Sequence, residues 1–502
     1  MLHPVEDLRW DNSFARLPEE FYQQIGPTPL PHPRLVAFNP DVAAQLDLAP
    51  GEERRPGFLA ALNGEVALPG TRPIAAIYAG HQFGVWVPEL GDGRAILLGE
   101  VVNSRHERWD VQLKGAGLTR FSRMGDGRAV LRSTVREYLA GEAMHGLGIP
   151  TTRSLAIIGS DAPVYREQVE TGAVLVRVAP THVRFGSFEV FASRGQHHAI
   201  RQLADYVIEM HFAHLLMLPL TERYTAWYRE VVDRTARLMA AWTATGFAHG
   251  VLNTDNMSIL GISLDYGPYG WMDGYQRGFI PNHSDPAGRY AFDQQPRVGL
   301  WNCARLGEAL LSLLDHDLPD ASRGEAVMAA LESYRGTFET EMDRLMRAKL
   351  GLTTAEAGDV GLVADLLSLL HDTRADYTRF FRALSRYSPS GARGARSDEA
   401  VRAEITDAAR LAAWLARYTQ RLMRNDSDDR TRSERMLCTN PRFVLRNWMA
   451  QEAITNAEAG NYAQIEELRC LLKAPFDEHA ELSRYAERPP EWAREIAVSC
   501  SS

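Results

Sequence analysis

Cysteine is scarce: Cys303, Cys438, Cys470 and Cys500 are the four in 502 residues, with no CxxC pair and no histidine at zinc spacing. That excludes a disulfide framework or a structural zinc site as the organising device and fits a reducing compartment. Long apolar runs are also missing. No stretch approaches the ~18 residues of a membrane span, and the opening Met1-Leu-His-Pro-Val-Glu-Asp has no basic segment followed by an apolar one. The expectation is a cytoplasmic protein without a membrane partner. An excess of positive charge is absent as well. The formal net charge of −9 gives no general reason to expect a nucleic-acid partner, although a local basic patch can sit inside an acidic chain. No internal repeat is found.

What is present is the composition of a globular chain, 45% hydrophobic and 24% charged, long enough for one large core or several ordinary ones. From about 73 to 178, short β-rich runs (Ala95-Ile-Leu-Leu-Gly, Trp109-Asp-Val-Gln-Leu-Lys, Val174-Leu-Val-Arg-Val) alternate with Gly-rich turns and one helix over 134–144, which predicts an α+β lobe. After Arg184 the periodicity becomes helical, over 202–217, 226–245, 325–349, 363–387 and 399–424, with a loop-and-hairpin region at 247–292. The fold class expected is α+β. The division is an N-terminal lobe of 1–184 carrying Gly/Arg-rich elements, a larger helical lobe of 185–486, and a tail of 487–502 with too little apolar pattern to pack strongly. The small-residue stretch 388–397 reads as an exposed connection between helices.

Leu90-Gly91-Asp92-Gly93-Arg94 lies between Val85-Trp-Val and Ala95-Ile-Leu-Leu and reads as a β-hairpin whose glycine turn leaves N–H groups free for an anion. Hairpins use such turns for backbone reasons alone, so the motif needs support. The next strand places Asp110, Gln112 and Lys114 on one face and Val111 and Leu113 on the other. After it, four glycines are interleaved with three arginines from Gly115 to Arg128. This stretch cannot bury a core but suits a phosphate cradle, since glycine permits close approach and arginine forks onto phosphate. Arg177 and Arg184 add guanidinium groups near the interlobe hinge, where surface ion pairing is the competing account. Glu137 has two readings: it caps its helix in Thr134-Val-Arg-Glu, or it pairs with Lys114 and holds the ammonium toward phosphate.

His249-Gly-Val-Leu-Asn253-Thr-Asp255-Asn256, followed by Asp265-Tyr-Gly267, comes directly after a long helix, in the order of a kinase catalytic core. Ser258-Ile-Leu and Ile262-Ser-Leu read as an antiparallel pair around Gly261, bringing Asn256 and Asp265 to one end, where an amide oxygen and a carboxylate can share a magnesium ion. Small-molecule kinases of this fold carry an aspartate base at the position of Val251. Valine accepts no proton, so Asp255 is the nearby carboxylate available as base. Asn253, Asp255 and Asn256 also suit a plain turn.

These residues resemble the selenoprotein O family, kinase-like proteins once regarded as pseudokinases. The resemblance rests on Tyr78-Ala-Gly-His-Gln-Phe-Gly, Leu90-Gly-Asp-Gly-Arg-Ala, Gln112-Leu-Lys-Gly-Ala-Gly, Phe121-Ser-Arg-Met-Gly-Asp-Gly-Arg, His249-Gly-Val-Leu-Asn-Thr-Asp-Asn-Met-Ser and Asp265-Tyr-Gly-Pro, and runs from near Asn12 to the tail. It implies a protein-kinase-like bilobal fold and metal-dependent transfer of AMP from ATP, bound inverted, to Ser, Thr or Tyr hydroxyls of protein substrates. It also implies that Gly91, Gly93, Arg94, Asp126 and Gly127 contact nucleotide, that Lys114, Arg177 and Arg184 hold the β- and γ-phosphates, that Asp255 is the proton acceptor, and that Asn256 and Asp265 hold Mg2+ or Mn2+. Cys500 stands where some members carry selenocysteine, which implies redox chemistry. The cysteine that some members place before Asn-His-Ser-Asp is Pro281 here, leaving Cys303, Cys438 or Cys470 as other partners. An ordinary γ-phosphate kinase, a non-catalytic nucleotide-binding regulator and an RNA-binding module are the competing readings.

Overall fold

The computed structural model describes residues 2–314, 324–389, 396–425 and 427–499. Cys500 and part of the 388–397 connection lie outside the described residues. The N-terminal half is built on an antiparallel sheet whose principal strands are β1 (Tyr22–Gln24), β2 (Arg34–Phe38), β3 (Ile74–Ala76), β6 (Ala95–Val102), β7 (Arg108–Lys114), β8 (Arg153–Tyr165) and β9 (Val169–Ala179), in the order β1-β3-β6-β7-β9-β8-β2. Between β3 and β6 the chain forms a separate two-stranded sheet, β4 (Gly80–Gln82) and β5 (Val85–Val87).

That arrangement corrects the expected hairpin around Gly91. Val85–Val87 pairs backward with Gly80–Gln82, and Ala95–Val102 pairs with β7 and β3. The Gly91 to Gly93 turn is therefore a connection between two sheets. The β-rich text on either side was right, but the partner of each strand is set by long-range burial rather than by the nearest turn.

The alternation read in β7 holds. Val111 and Leu113 enter an apolar layer with Phe58, Leu62, Leu155 and Ile158, while Asp110, Gln112 and Lys114 face the other way, where Lys114 reaches Glu137 of helix α1 (Leu131–Gly146) and Asp110 accepts from the His182 amide. Register places Arg177 of β9 directly opposite Gln112, so its side chain shares the Lys114 face.

The second half is helical. Helix α2 (Leu220–Thr245) buries Trp227, Tyr228, Val231, Val232, Met239 and Trp242 at three- and four-residue spacing, and ends on Gly246 in the left-handed conformation (φ 74°). Helix α3 (Glu325–Lys349) has the expected bounds. Two expected helices are each divided. The 363–387 pattern is Asp359–Thr373 and Tyr377–Leu384, interrupted at Arg374 (φ 52°) and restarted by Asp376, which accepts from the Arg379 amide. The 399–424 pattern is Arg396–Arg402 and Ala408–Leu422, with Asp407 capping the second. An aspartate inside an apolar periodicity acted as a cap, and period alone does not show that. The 202–217 pattern is His197–His211 followed by a 3₁₀ turn, Ala213–Met217.

Helices α4 (Asn447–Glu458) and α5 (Ala463–Lys473) return to pack on α1, so one apolar core runs from Phe14 through α1 and α2 to Tyr485. The described part of the tail packs more than its composition suggested: Val498 is buried, and its carbonyl accepts from the His283 amide at 2.9 Å. No helix among the described residues is long and apolar enough to cross a membrane.

Candidate active site

A cavity of about 430 Å³ lies between the sheet and the loop that follows α2; Lys114, Arg177, Arg184, Asp255, Asn256 and Asp265 are among its lining residues. A second of about 390 Å³ shares Gly93, Arg94, Arg123 and Asp255 with it and extends past Gly91, Asp126 and Gly127.

One wall is a buried chain of charges. Glu137 receives Lys114 Nζ at 2.5 Å on one oxygen and Arg177 Nε at 2.5 Å on the other. Arg177 Nη2 continues to Asp265 Oδ1 at 2.6 Å, and Arg184 holds Asp265 Oδ2. Arg184 also donates to the Asp255 carbonyl at 2.8 Å and lies over the Tyr78 ring at 4.5 Å. The two readings of Glu137 are thereby separated: the N-cap position of α1 is Val130, with no side-chain cap, and Glu137 lies in the helix interior as the counter-ion of two cations. Burial pulls the Lys114 ammonium down to about 8 despite Glu137 beside it. Burial alone would raise Asp265, but Arg177, Arg184 and Lys114 hold it well below the usual carboxylate range. Three cations face two carboxylates here, and the surplus positive charge suits an anion.

The loop is fixed from below. His249 is fully buried, stacks on Trp242 at 5.3 Å, and meets the Leu264 carbonyl through Nε2 at 3.0 Å. Gly250 (φ 79°) lies so close to the Pro268 carbonyl that a Cβ would come within 2.3 Å of it. Thr254–Asn256 is a 3₁₀ turn. The expected strand pair around Gly261 does not form: Ser258 bridges Arg184 and Ser263 bridges Thr151. Asn256 and Asp265 still line one cavity, each brought there by bridges to the N-terminal half.

Asp255 is buried, with Oδ1 without a hydrogen-bond partner among the described residues and Oδ2 accepting from Gln82 Nε2 at 3.2 Å. Burial pushes its carboxyl up to about 7, near the pH at which a base must both hold and release a proton. Asn256 commits its amide nitrogen to the Val251 carbonyl at 2.9 Å, which leaves its amide oxygen as the donor toward a cation. Asp265 has one lone pair on each oxygen beyond those used by its arginines. Among the described residues no group of three or more His, Cys, Asp or Glu side chains gathers to hold a metal. Two hard protein oxygens nevertheless fit an ion such as Mg2+, which takes its remaining ligands from phosphates and water.

The remaining sequence candidates spread around the opening. Arg94 is exposed and carries no ion pair among the described residues. A Cβ on Gly91 would lie 2.3 Å from the Phe121 ring, and one on Gly93 2.8 Å from the Phe121 carbonyl. Both glycines are thus required by packing of the 119–125 loop. Asp126 is bound by Arg166 at 2.9 Å and accepts from the Arg128 amide. Gly127 (φ 72°) abuts Gly117. Cys303 is buried, while Cys438 and Cys470 are exposed; all three thiols are free.

Several lining residues were given no site role of their own from sequence, although all but Arg166 stand in the motifs quoted above: Tyr78, Gln82, Asn253, Arg123 and Arg166. The β4 and β5 hairpin is the main omission. His81 N donates to Thr254 Oγ1 at 2.7 Å, and Phe83 N to Asn253 Oδ1 at 3.2 Å and to Tyr290 OH at 2.8 Å. A Cβ on Gly80 would stand 2.7 Å from Asp255 Oδ1. The signal was the run His81-Gln-Phe-Gly, polar and aromatic side chains flanked by glycine where a core strand would carry β-branched residues.

A family model described as "Protein adenylyltransferase SelO" matches residues 4–473. The chain is 54% identical over 498 residues to a "Protein nucleotidyltransferase YdiU" of Myxococcus xanthus, covering 99% of each chain. To the protein of that name from Thioalkalivibrio sulfidiphilus it is 53% identical over 508 residues, covering 100% of each, and to that from Azotobacter vinelandii 47% identical over 499 residues, covering 99% of each. This chain therefore belongs to the SelO family of protein adenylyltransferases and is a protein nucleotidyltransferase.

Proposed function

We propose that the chain transfers AMP from ATP to Ser, Thr or Tyr hydroxyls of protein acceptors, using Mg2+ or Mn2+. In this reading it does so in a kinase-like bilobal fold of 1–184 and 185–486 with the nucleotide inverted. The observation that carries this reading is the buried set of Lys114, Arg177 and Arg184, interlocked through Glu137 and Asp265. An inverted triphosphate sets its β- and γ-phosphates against these cations, so the charge that grows on departing pyrophosphate is met by groups already in place. Gly91, Gly93, Arg94, Asp126 and Gly127 border the nucleotide at the second cavity.

The acceptor oxygen attacks the α-phosphorus, the bond from that phosphorus to the α,β-bridging oxygen breaks, and pyrophosphate leaves with the electron pair. The hydroxyl proton goes to Asp255, whose Oδ1 lies against Gly80 and has no hydrogen-bond partner among the described residues. Asn256, through its amide oxygen, and Asp265, through its remaining lone pairs, would hold the metal ion, which supplies charge neutralisation at the phosphates when bound. Val251 has no group that accepts a proton, and this supports Asp255 as base.

Asp255→Asn keeps the shape and removes the base. The expected outcome is a fall in kcat of roughly 10²- to 10⁴-fold, with ATP affinity, read by calorimetry, within about threefold of wild type. An unchanged kcat in this variant would remove Asp255 from the mechanism.

A further inference from the structure

Beyond the hairpin tip the nucleotide cavity gives way to a groove of about 1030 Å³, with Phe83 lining both. Its walls include Ile280, Arg289, Arg297 and Trp301. Phe83 is 37% exposed and Ile280 39%, and Val85 on the same hairpin is 68% exposed. Phe83 and Ile280 thus leave apolar surface to water within the groove, with Val85 beside it on the hairpin, and exposed apolar surface gathered at one place marks an interaction site.

The hairpin is held rigid. Phe83 lies in the left-handed region (φ 51°), fixed by the two bonds from its amide to Asn253 and Tyr290, and its ring packs on Tyr290 at 5.2 Å. Backbone strain retained at such a position is characteristic of a site that presents a side chain.

The groove also carries charge. Arg289 lies over Trp301 at 4.8 Å and against Gly84 of the hairpin, with its Nε buried and without a partner. Arg297 is exposed. Neither has a carboxylate partner among the described residues. Of the acidic neighbours, Asp285 is buried and spends both oxygens on the Arg289 and Tyr290 amides. Asp293 is exposed and accepts from the Gln294 side chain. Arg289, stacked on Trp301, and Arg297 are therefore the groove's cations without a carboxylate partner among the described residues.

We propose that this groove receives the acceptor polypeptide, seating a large apolar side chain against Phe83, Ile280 and Trp301 and an acidic side chain against Arg289 and Arg297. The inference rests on the transfer reading above and adds a sequence preference to it: hydroxyls flanked by one apolar and one acidic residue. A polypeptide seated there meets Asp255 across Phe83, so binding and chemistry share one wall.

The test uses the full chain, Mg2+, ATP labelled at the α-phosphate, and two serine peptides that share a neighbouring leucine and differ only in carrying glutamate or lysine beyond it. Wild type is expected to favour the glutamate peptide in kcat/KM by roughly two- to fivefold, the size an exposed ion pair supports. Arg297→Glu is expected to reverse the preference toward the lysine peptide without changing KM for ATP. Transfer to both peptides with equal efficiency, or an unchanged preference in Arg297→Glu, would overturn the groove assignment while leaving AMP transfer standing. Absence of α-label from both peptides and from every other hydroxyl acceptor, the chain itself included, would overturn both.

Discussion

Asp265 keeps its backbone in the left-handed region (φ 56°), a conformation that costs a non-glycine residue on the order of 1 kcal/mol. The two arginines on its oxygens offset that cost, and they in turn depend on Asp265 as counter-ion. Asp265→Ala leaves Arg177 and Arg184 buried with less negative charge than they need. The expected loss of folding stability is on the order of 3 kcal/mol, measured by urea unfolding without nucleotide, together with loss of transfer activity. Retention of both would mean that Asp265 is neither counter-ion nor functional ligand. Glu137→Gln acts one step further away: it keeps the helix but halves the negative charge in the network. Its expected signature is a raised KM for ATP with a smaller change in kcat. The residue types at this site were legible in the sequence, because Lys, Arg, Glu and Asp in these motifs have few other uses. The Lys114–Glu137 pair was legible as one of two readings, the other being a capping pattern at Thr134 that the fold leaves unused by starting the helix after Val130; the links from Arg177 and Arg184 to Asp265 were not, since they join strands and loops far apart in the chain.

At the scale of elements, the β4 and β5 hairpin is the part that sequence reading placed wrongly. Its glycines suggested turns, and adjacency does not choose the partner of a strand of three residues that has a candidate on each side, Gly80–Gln82 and Ala95–Val102. Gly80→Ala would put a methyl carbon 2.7 Å from Asp255 Oδ1, closer than van der Waals contact allows. The expected result is a drop in kcat of at least about tenfold, because displacement of a base by a fraction of an ångström is enough to misalign it, with ATP binding retained. Helix α3 offers a test by pH. Lys349 ends this helix buried over Phe381 at 4.3 Å, and burial lowers its ammonium to about 7. An unfolded lysine titrates near ~10.4. Between those values the unfolded chain holds a proton that the folded chain lacks, so stability contributed by this site rises with pH and is lowest below about 7. Lys349→Met removes the slope. The difference in unfolding free energy, Met variant minus wild type, should shrink as pH rises from 7 to 9.5 in urea titrations; a constant difference would mean Lys349 stays charged in the folded state.

At the scale of the molecule, the two halves are joined by more than the hinge. Helices α4 and α5 reach back to α1, where a Cβ on Gly146 would come within 2.0 Å of the Leu472 carbonyl. Arg469 and Lys473 pair with Asp41, and Arg34 donates to Tyr462. Composition marked 1–184 as a lobe, and its α+β character was readable from alternating strands, but no local pattern announces that helices 260 residues downstream close its open face. The fragment 1–184 is accordingly expected not to unfold cooperatively when expressed alone, as judged by circular dichroism in urea. A chain ending at 486 is expected to keep the cooperative transition of the full protein.

The proposed transfer chemistry stands or falls on which phosphate is retained. Purified protein, Mg2+ and a generic acceptor protein would be incubated with ATP labelled either at the α- or at the γ-phosphate, and covalent label on the acceptor counted. Label from the α-position alone, lost in Asp255→Ala and Asp265→Ala, is the expected result. Label from the γ-position alone would make the chain a kinase and contradict the inverted nucleotide, the role of Lys114, Arg177 and Arg184 at the leaving group, and the assignment of Asp255.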